Sequence, residues 1–151
     1  MMKLTTYTEL EIGHRLMSSY AAKCRHGHGH CFRVEITVCS NTLNADGMVI
    51  DFKKLKEIVK QQLDDQWDHG FVLCKDDPLV PAFKADAENE RLHLLPVNPT
   101  LEYLVKLWYG DIKQALSDLK EKHPESMAPD LKLLSIKASE TTKNTCTYSE
   151  D

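Results

Sequence analysis

The sequence predicts an α+β fold in which two helices cover one face of a four-stranded antiparallel sheet. Three observations predict it: two strand patterns open the chain, two helical patterns lie in its middle, and two strand patterns close it. With 151 residues, the chain is expected to form one domain over 1–151. Such a sheet has two open edges, which favour pairing with another subunit.

Alternation of apolar and polar residues indicates the strands. Residues 3–12 alternate loosely and residues 32–39 alternate strictly, as expected of strands with one buried face. Near the end of the chain, residues 131–138 alternate again, and residues 145–149 follow a turn around Lys143-Asn144. The sequence therefore predicts four strands.

Helical spacing of apolar residues indicates the helices. Asp51 has the side chain of an N-cap for the first helix, which continues to Leu63. Asn98 is expected to cap the second, with Pro99 at the first helical position, where a missing N–H costs nothing. The second helix carries one apolar stripe for five turns, formed by Leu101, Leu104, Val105, Trp108, Ile112, Ala115, Leu116 and Leu119.

Composition excludes several classes of function. The net charge of −4 and the pI near 6.0 argue against a nucleic-acid partner, whose binding surface is usually basic. No apolar run reaches the length of a membrane span, and the N-terminus does not resemble a secretory signal. Five cysteines, an odd number without a CxxC pair, favour reduced thiols and a cytoplasmic location.

A cluster of histidines is the strongest indication of chemistry. It lies in the stretch Cys24-Arg25-His26-Gly27-His28-Gly29-His30, with His14 ten residues before the cysteine. In a strand, His28 and His30 share one face, and His14 could join them from the neighbouring strand. Three histidines with an open fourth position form a catalytic zinc site. Two alternatives stay open: unrelated surface histidines, and a register that uses His26 with His28, which are also two apart.

Cys24 has three possible roles beside such a metal. The neighbouring cationic residues Lys23 and Arg25 favour its thiolate, which suits a base or a nucleophile. It could also be a structural thiol, or a fourth ligand that closes the zinc site. The spacing alone does not choose among them.

Two carboxylate motifs are further candidates. Asp68 precedes His69, and a carboxylate beside an imidazole can fix its tautomer and raise its basicity. The alternative is an acidic, solvated helix end. Glu140 follows a buried strand, where it could accept two hydrogen bonds from a guanidine-like heterocycle edge or simply face solvent.

Six motifs in order resemble the 6-pyruvoyl-tetrahydropterin synthase and 6-carboxytetrahydropterin synthase family. They cover nearly the whole chain: Glu11-Ile12-Gly13-His14-Arg15-Leu16, the Cys24–Phe32 stretch, Gly47–Lys56, Asp68-His69, Asn98-Pro99-Thr100-Leu101-Glu102 and Ser139-Glu140-Thr141. Each motif alone is weak, but six in the family's order are a strong signal.

The resemblance implies a role for each candidate residue. The zinc ligands would be His14, His28 and His30, which leaves His26 as an extra residue. The catalytic cysteine would be Cys24, with Asp68 and His69 as relay partners. Glu140 would anchor the pterin, with Thr100 and Thr141 as its neighbours. The family's tunnelling fold further implies that three subunits pair edge to edge into a barrel, that two barrels stack as a hexamer, and that active sites lie between subunits.

The implied substrate is 7,8-dihydroneopterin triphosphate. The short Cys24-x-x-x-His28 spacing resembles the branch that makes 6-carboxytetrahydropterin for queuosine and related 7-deazapurines. The alternative is the pyruvoyl synthase branch, which eliminates triphosphate, and a less favoured one is a non-catalytic zinc or pterin-binding protein. The chain departs from the family pattern at Leu101, where a small hydroxyl residue is common, and over residues 74–97, which are expected to form an extended surface loop.

Overall fold

The structure is a computed structural model that describes residues 1–17, 23–85 and 91–150. The strands are β1 (Met2–His14), β2 (His28–Ser40), β3 (Gly70–Cys74), β4 (Leu92–Leu95), β5 (Lys132–Ser139) and β6 (Thr145–Tyr148). The helices are α1 (Phe52–Val59), α2 (Asp65–Trp67), α3 (Val80–Lys84) and α4 (Leu101–Lys122). A π-helical turn, Lys60–Asp64, joins α1 to α2, and a 3-10 turn, Pro124–Ser126, follows α4.

The six strands form one mixed sheet in the order β4-β3-β1-β2-β5-β6. The four predicted strands are present as β1, β2, β5 and β6, and each neighbouring pair among them is antiparallel. The predicted number of four is wrong, because β3 and β4 extend the sheet beyond β1 with parallel pairing. Both added strands are short apolar runs, in which periodicity alone does not distinguish strand from helix.

The expected loop over residues 74–97 is therefore also wrong. This segment contains α3 and β4, while residues 86–90 lie outside the described part of the chain. The segment is tied to the end of β1 by an ion pair, in which Nε of Arg15 lies 2.8 Å from Oδ2 of Asp77. The Asp77 side chain is completely buried, and its other oxygen accepts a hydrogen bond from the Leu79 amide.

The core lies between the helices and one face of the sheet. Even-numbered residues of β1 and β2 point toward the helices, and the buried apolar ones are Leu10, Ile12, Phe32, Val34, Ile36 and Val38. The stripe on α4 packs against them, with Trp108 and Ile112 fully buried. Odd-numbered residues such as Glu9, Arg33 and Glu35 form a polar face on the other side. The predicted two-layer α+β architecture is confirmed.

The first helix begins as predicted and the second does not. Oδ1 of Asp51 accepts a hydrogen bond from the Lys53 amide at 2.8 Å, which caps α1. The N-cap of α4 is Thr100, two residues after the predicted Asn98, and its hydroxyl accepts from the Tyr103 amide at 3.4 Å. The prediction fails because the Asn98 side chain is bonded elsewhere, to Met17. Across the described ranges, no helix is both long and apolar enough to cross a membrane.

Candidate active site

Three histidines converge where β1 ends and β2 begins. His14 is the last residue of β1 and lies directly opposite His28, the first residue of β2, while His30 lies opposite Ile12. All three side chains are therefore on the helix-covered face of the sheet. Their potential ligand atoms lie within 4.8 Å of one another. The sheet register thus builds a three-nitrogen group that can hold a metal ion.

Backbone carbonyls fix the orientation of two of these imidazoles. Nδ1 of His14 lies 2.9 Å from the Pro99 carbonyl oxygen, and Nδ1 of His28 lies 2.8 Å from that of His26. Because a carbonyl oxygen only accepts, each Nδ1 donates a proton, which leaves Nε2 as the ring nitrogen that can bind a metal. Metal-binding histidines are typically held in this way by the second ring nitrogen.

Two nitrogens of the cluster lack a hydrogen-bond partner in the described part of the chain. Nε2 of His14 and Nε2 of His30 are buried and have no hydrogen-bond partner among the described residues. A buried polar atom left unpaired costs about 1–3 kcal/mol, so two at one point call for a ligand. Burial lowers the pKa of His14, and the neighbouring His28 and His30 lower it further. The hydrogen bond to Pro99 raises this pKa but does not offset the lowering. His14 is thereby kept in the neutral form that binds metals, and the donor set fits a divalent cation.

The structure also decides the register that the sequence left open. His26 is exposed and precedes β2, so its side chain does not join the cluster. Its contribution is the carbonyl that orients His28. The group that could hold a metal is therefore His14, His28 and His30.

A cleft of about 490 Å³ opens beside the histidines. Three of the predicted site residues line it together with His14 and His28: Cys24, Thr100 and Glu140. Cys24 is half-buried in a turn, and its carbonyl accepts a hydrogen bond from the Leu16 amide at 2.8 Å. A thiol, a carboxylate and two of the three clustered histidines thus face one cavity.

Glu140 lies close to the histidine cluster. It follows the last residue of β5, and its Oε1 is 3.2 Å from Nε2 of His30, although the two atoms are not in hydrogen-bond geometry. Its side chain is 23% exposed, so one carboxylate oxygen can meet a ligand in the cleft. Thr141 follows it, but its Oγ1 accepts from the Lys143 and Asn144 amides and holds the turn. In the described structure Thr141 is not among the residues that line the cleft.

Asp68 and His69 form a separate pair on the surface. Oδ2 of Asp68 accepts a hydrogen bond from Nδ1 of His69 at 2.8 Å, and Oδ1 accepts from the Glu11 amide at 2.8 Å. Burial alone raises the pKa of Asp68, but these two hydrogen bonds outweigh it and leave the pKa below its ordinary value. The carboxylate is therefore ionised and fixes the orientation of the imidazole.

The backbone of His69 is held in a conformation that side chains other than glycine rarely adopt. Its φ is +61°, in the left-handed region, and its amide donates to the Glu11 carbonyl at 2.7 Å. The side chain is 75% exposed, and neither His69 nor Asp68 is among the described residues that line the cleft. In the described part of the chain, this pair therefore does not join Cys24 in lining the cleft.

Sequence reasoning missed several residues that surround the cleft. Glu102, in the first turn of α4, lines it with Lys143 and Cys146. The Pro99 carbonyl was also missed, since a backbone acceptor leaves no mark in residue type. The signal for Glu102 was its place two residues after Thr100, next to a predicted helix start.

Comparison with known proteins identifies the family. The family model described as 6-pyruvoyl tetrahydropterin synthase matches residues 3–151.

The chain belongs to this family.

Relatives named 6-carboxy-5,6,7,8-tetrahydropterin synthase include one from Rickettsia felis, 32% identical over 102 residues, which are 68% of this chain and 73% of that protein. Another, from Aquifex aeolicus, is 32% identical over 132 residues, covering 85% of this chain and 77% of that protein.

Solved structures share the fold of this family member. An uncharacterised protein from Wolinella succinogenes superposes with a TM-score of 0.78 at 21% identity, over 99% of this chain and 98% of the other. The 6-pyruvoyl tetrahydropterin synthase of Plasmodium vivax superposes with a TM-score of 0.70 at 19% identity, also over 99% and 98%. The predicted family is confirmed by the family model and by the two named relatives, and these structures add the shared fold.

Proposed function

We propose that this protein is a zinc-dependent lyase that converts 7,8-dihydroneopterin triphosphate to 6-carboxy-5,6,7,8-tetrahydropterin for queuosine and related 7-deazapurines. The observation that carries the proposal is the cleft itself, where Cys24 and Glu140 line one cavity together with two members of the three-histidine group, His14 and His28. The relatives named for this product support the branch.

Zinc is the proposed metal because three imidazoles with an open fourth position suit it. The ligands would be His14, His28 and His30, each through the nitrogen that faces the centre of the cluster. Zinc bound there would supply Lewis acidity that makes hydroxyl groups of the substrate side chain easier to deprotonate. The chain's own part is to hold the imidazoles of His14 and His28 in place through the carbonyls of Pro99 and His26.

Glu140 is proposed to anchor the pterin ring. A carboxylate can accept two parallel hydrogen bonds from the pterin amino group and ring N–H, which fixes both position and orientation. Glu140 lies at the histidine end of the cleft, and Thr100 lines the same cavity. This arrangement would place the side chain of the substrate between Cys24 and the metal group. Thr141 would act indirectly, by holding the turn that follows Glu140.

Cys24 and the Asp68–His69 pair are proposed to move protons on opposite faces of the substrate side chain. Cys24 already lines the cleft, whereas His69 is directed to solvent with its Nδ1 bound by Asp68. The Nε2 of His69 is thus available to a group outside its own chain. We propose that His69 completes the cleft of a neighbouring subunit.

The open edges of the sheet support such an assembly. On the edge that faces away from β2, β1 pairs with β3 only at residues 12–14. Residues 2–10 therefore have no strand partner on that edge within the described ranges. Pairing alternates from β1 through β2 and β5 to β6, so β6 is antiparallel to β1. The β1 strand of a next copy could therefore continue the sheet beside β6. We propose a trimeric barrel of this kind, and a hexamer of two barrels.

A second candidate is the 6-pyruvoyl tetrahydropterin synthase reaction, in which triphosphate is eliminated. It is favoured by the description of the matching family model, while the short spacing between Cys24 and His28 favours the carboxy branch. A non-catalytic zinc or pterin-binding protein ranks lower, because it would not need Cys24 and Asp68–His69. The odd number of cysteines again supports a cytoplasmic location.

The proposed function is tested by its product. The zinc-loaded protein is incubated with 7,8-dihydroneopterin triphosphate, and the pterin that forms is identified by mass. We expect 6-carboxy-5,6,7,8-tetrahydropterin. A pyruvoyl product would establish the second candidate, and unchanged substrate in the presence of tight pterin binding would establish the non-catalytic one.

A further inference from the structure

We propose that Asn98 is a positioning residue that holds Cys24 in the cleft by clamping the backbone of Met17. The side-chain amide of Asn98 bonds to both backbone polar groups of that residue. Oδ1 accepts from the Met17 amide at 2.7 Å, and Nδ2 donates to the Met17 carbonyl at 3.3 Å. The two bonds fix the orientation of one peptide segment, and an alanine at position 98 would leave both backbone groups unpaired.

The clamped residue is linked directly to the cysteine. Leu16, which precedes Met17, donates its amide to the carbonyl of Cys24 at 2.8 Å. Arg15 is held in turn by the buried Asp77 at 2.8 Å. Residues 15–17 are thus each held by a different contact. The contact of the middle residue, Leu16, is with the turn that carries Cys24. A shift of Met17 would therefore move the cysteine relative to the cleft.

The other side of the clamp is connected to the metal group. Asn98 is followed by Pro99, whose carbonyl orients His14, and by Thr100, which lines the cleft and caps α4. The Thr100 amide donates to the Asn98 carbonyl at 2.8 Å, which tightens this turn. Residues 98–100 therefore fix the position of Cys24 relative to His14. The two connections use different atoms: the Asn98 side chain acts on the cysteine segment and the Pro99 backbone acts on the histidine.

Because the two connections are separate, they can be tested independently in the zinc-loaded protein. Since a misplacement of about 1 Å can cost about 10²-fold in rate, Asn98→Ala should lower kcat by about 10- to 100-fold. The zinc content and KM should stay near wild type, because His14, Thr100 and Glu140 keep their partners. Asn98→Asp keeps the 2.7 Å acceptor and should recover part of kcat.

Asn44 offers a matched control. Its Oδ1 accepts from the Asp46 and Met48 amides at 3.1 and 2.9 Å, so it also fixes backbone, but in the loop between β2 and α1. Asn44→Ala should leave kcat unchanged. An Asn98→Ala variant with wild-type kcat, or one that loses kcat and zinc together, would overturn the positioning role.

A second readout does not depend on pterin chemistry. The inference rests on the proposed function of Cys24, so the alkylation rate of Cys24 by iodoacetamide is measured by peptide mass, relative to that of the exposed Cys31. Asn98→Ala should raise this ratio several-fold, because the half-buried thiol is released, and Asn44→Ala should not. A changed ratio in a protein without synthase activity would reject the proposed function and keep the clamp. An unchanged ratio would reject the clamp.

Discussion

The three cleft histidines and the imidazole of His69 lie near the same end of β1 but are built in opposite ways. His14 is 3% exposed, its Nδ1 is held by a backbone carbonyl, and its Nε2 faces other imidazoles. His69 is 75% exposed, its Nδ1 is held by a carboxylate, and it is not among the described residues that line the cleft. One chain brings the first group together, whereas we propose that the second group acts in the cleft of a neighbouring subunit.

The two regions also differ in how their backbones are supported. The cleft histidines lie on regular strands in register, so ordinary sheet pairing places them. His69 lies in a left-handed conformation that costs about 1–3 kcal/mol. It persists because the His69 amide donates to the Glu11 carbonyl and the Glu11 amide donates to Asp68. Strain of this kind, at a side chain that is 75% exposed, fits our proposal that His69 completes the cleft of a neighbouring subunit.

The loss of Cys24 should have the largest effect, and should be confined to turnover. General acid–base catalysis contributes about 10²–10⁴-fold, so Cys24→Ala should lower kcat by at least that much. Cys24→Ser should be almost as poor, since a hydroxyl is far less acidic than a thiol. Zinc content, measured by metal analysis, should stay near one per subunit in both variants. Loss of zinc from Cys24→Ala would instead make the thiolate a fourth ligand and the site structural.

The loss of a cleft histidine should remove the metal. Partners of metal ligands are typically worth 10–100-fold in metal affinity, so removing a ligand itself in His28→Ala should cost at least about 100-fold. His26→Ala is the matched control, because this residue offers only its carbonyl and should keep its zinc. The opposite pattern in metal analysis would show that the register of the cluster is wrong.

Substitutions at His69 should separate strain from function. Both His69→Ala and His69→Gly remove the imidazole and should abolish turnover. Only glycine adopts φ +61° without a steric cost. The free energy of unfolding in urea should therefore be about 1 kcal/mol higher for His69→Gly than for His69→Ala. Equal stability of the two variants would show that the backbone at this position is not strained.

The smallest effect should be the pH dependence contributed by Asp68. Its pKa is lowered in the folded protein, so its carboxylate stabilises the fold above the ordinary value of 3.8, and this contribution is lost as the pH falls through the folded pKa. The pair is largely exposed, so the contribution should be less than about 1 kcal/mol. Asp68→Asn should flatten the acid side of the stability curve measured by urea unfolding. A curve parallel to that of wild type would contradict the ionised, bonded carboxylate.

The sequence predicted the parts of the fold that depend on regular patterns. The four antiparallel strands and the stripe on α4 follow from periodicity, and the pairing of His28 with His30 follows from the two-residue repeat of a strand. β3 and β4 were missed because four- and five-residue apolar runs carry no clear period. Asn98 was misassigned because residue type cannot tell an N-cap from a backbone clamp, and both uses suit an asparagine next to a helix.

The candidate site was predicted unevenly for a similar reason. Residues on neighbouring strands could be placed together from register, and the structure brings Cys24, Thr100 and Glu140 to the same cleft. The position of Asp68 and His69 outside the lining of this cleft could not be predicted, because the order of motifs along the chain does not say which side chains meet in space. The hydroxyl of Thr141 was likewise engaged by its own turn.

Complementation between two inactive variants tests the shared site most directly. Cys24→Ala and His69→Ala subunits are unfolded together, refolded as a mixture and assayed for turnover. If each cleft takes Cys24 from one subunit and His69 from another, an equal mixture should recover about one quarter of wild-type activity in a closed ring. Each variant refolded alone should stay inactive. A mixture as inactive as its components, with assembly shown by light scattering, would mean that one chain supplies both residues and would contradict a site built between subunits.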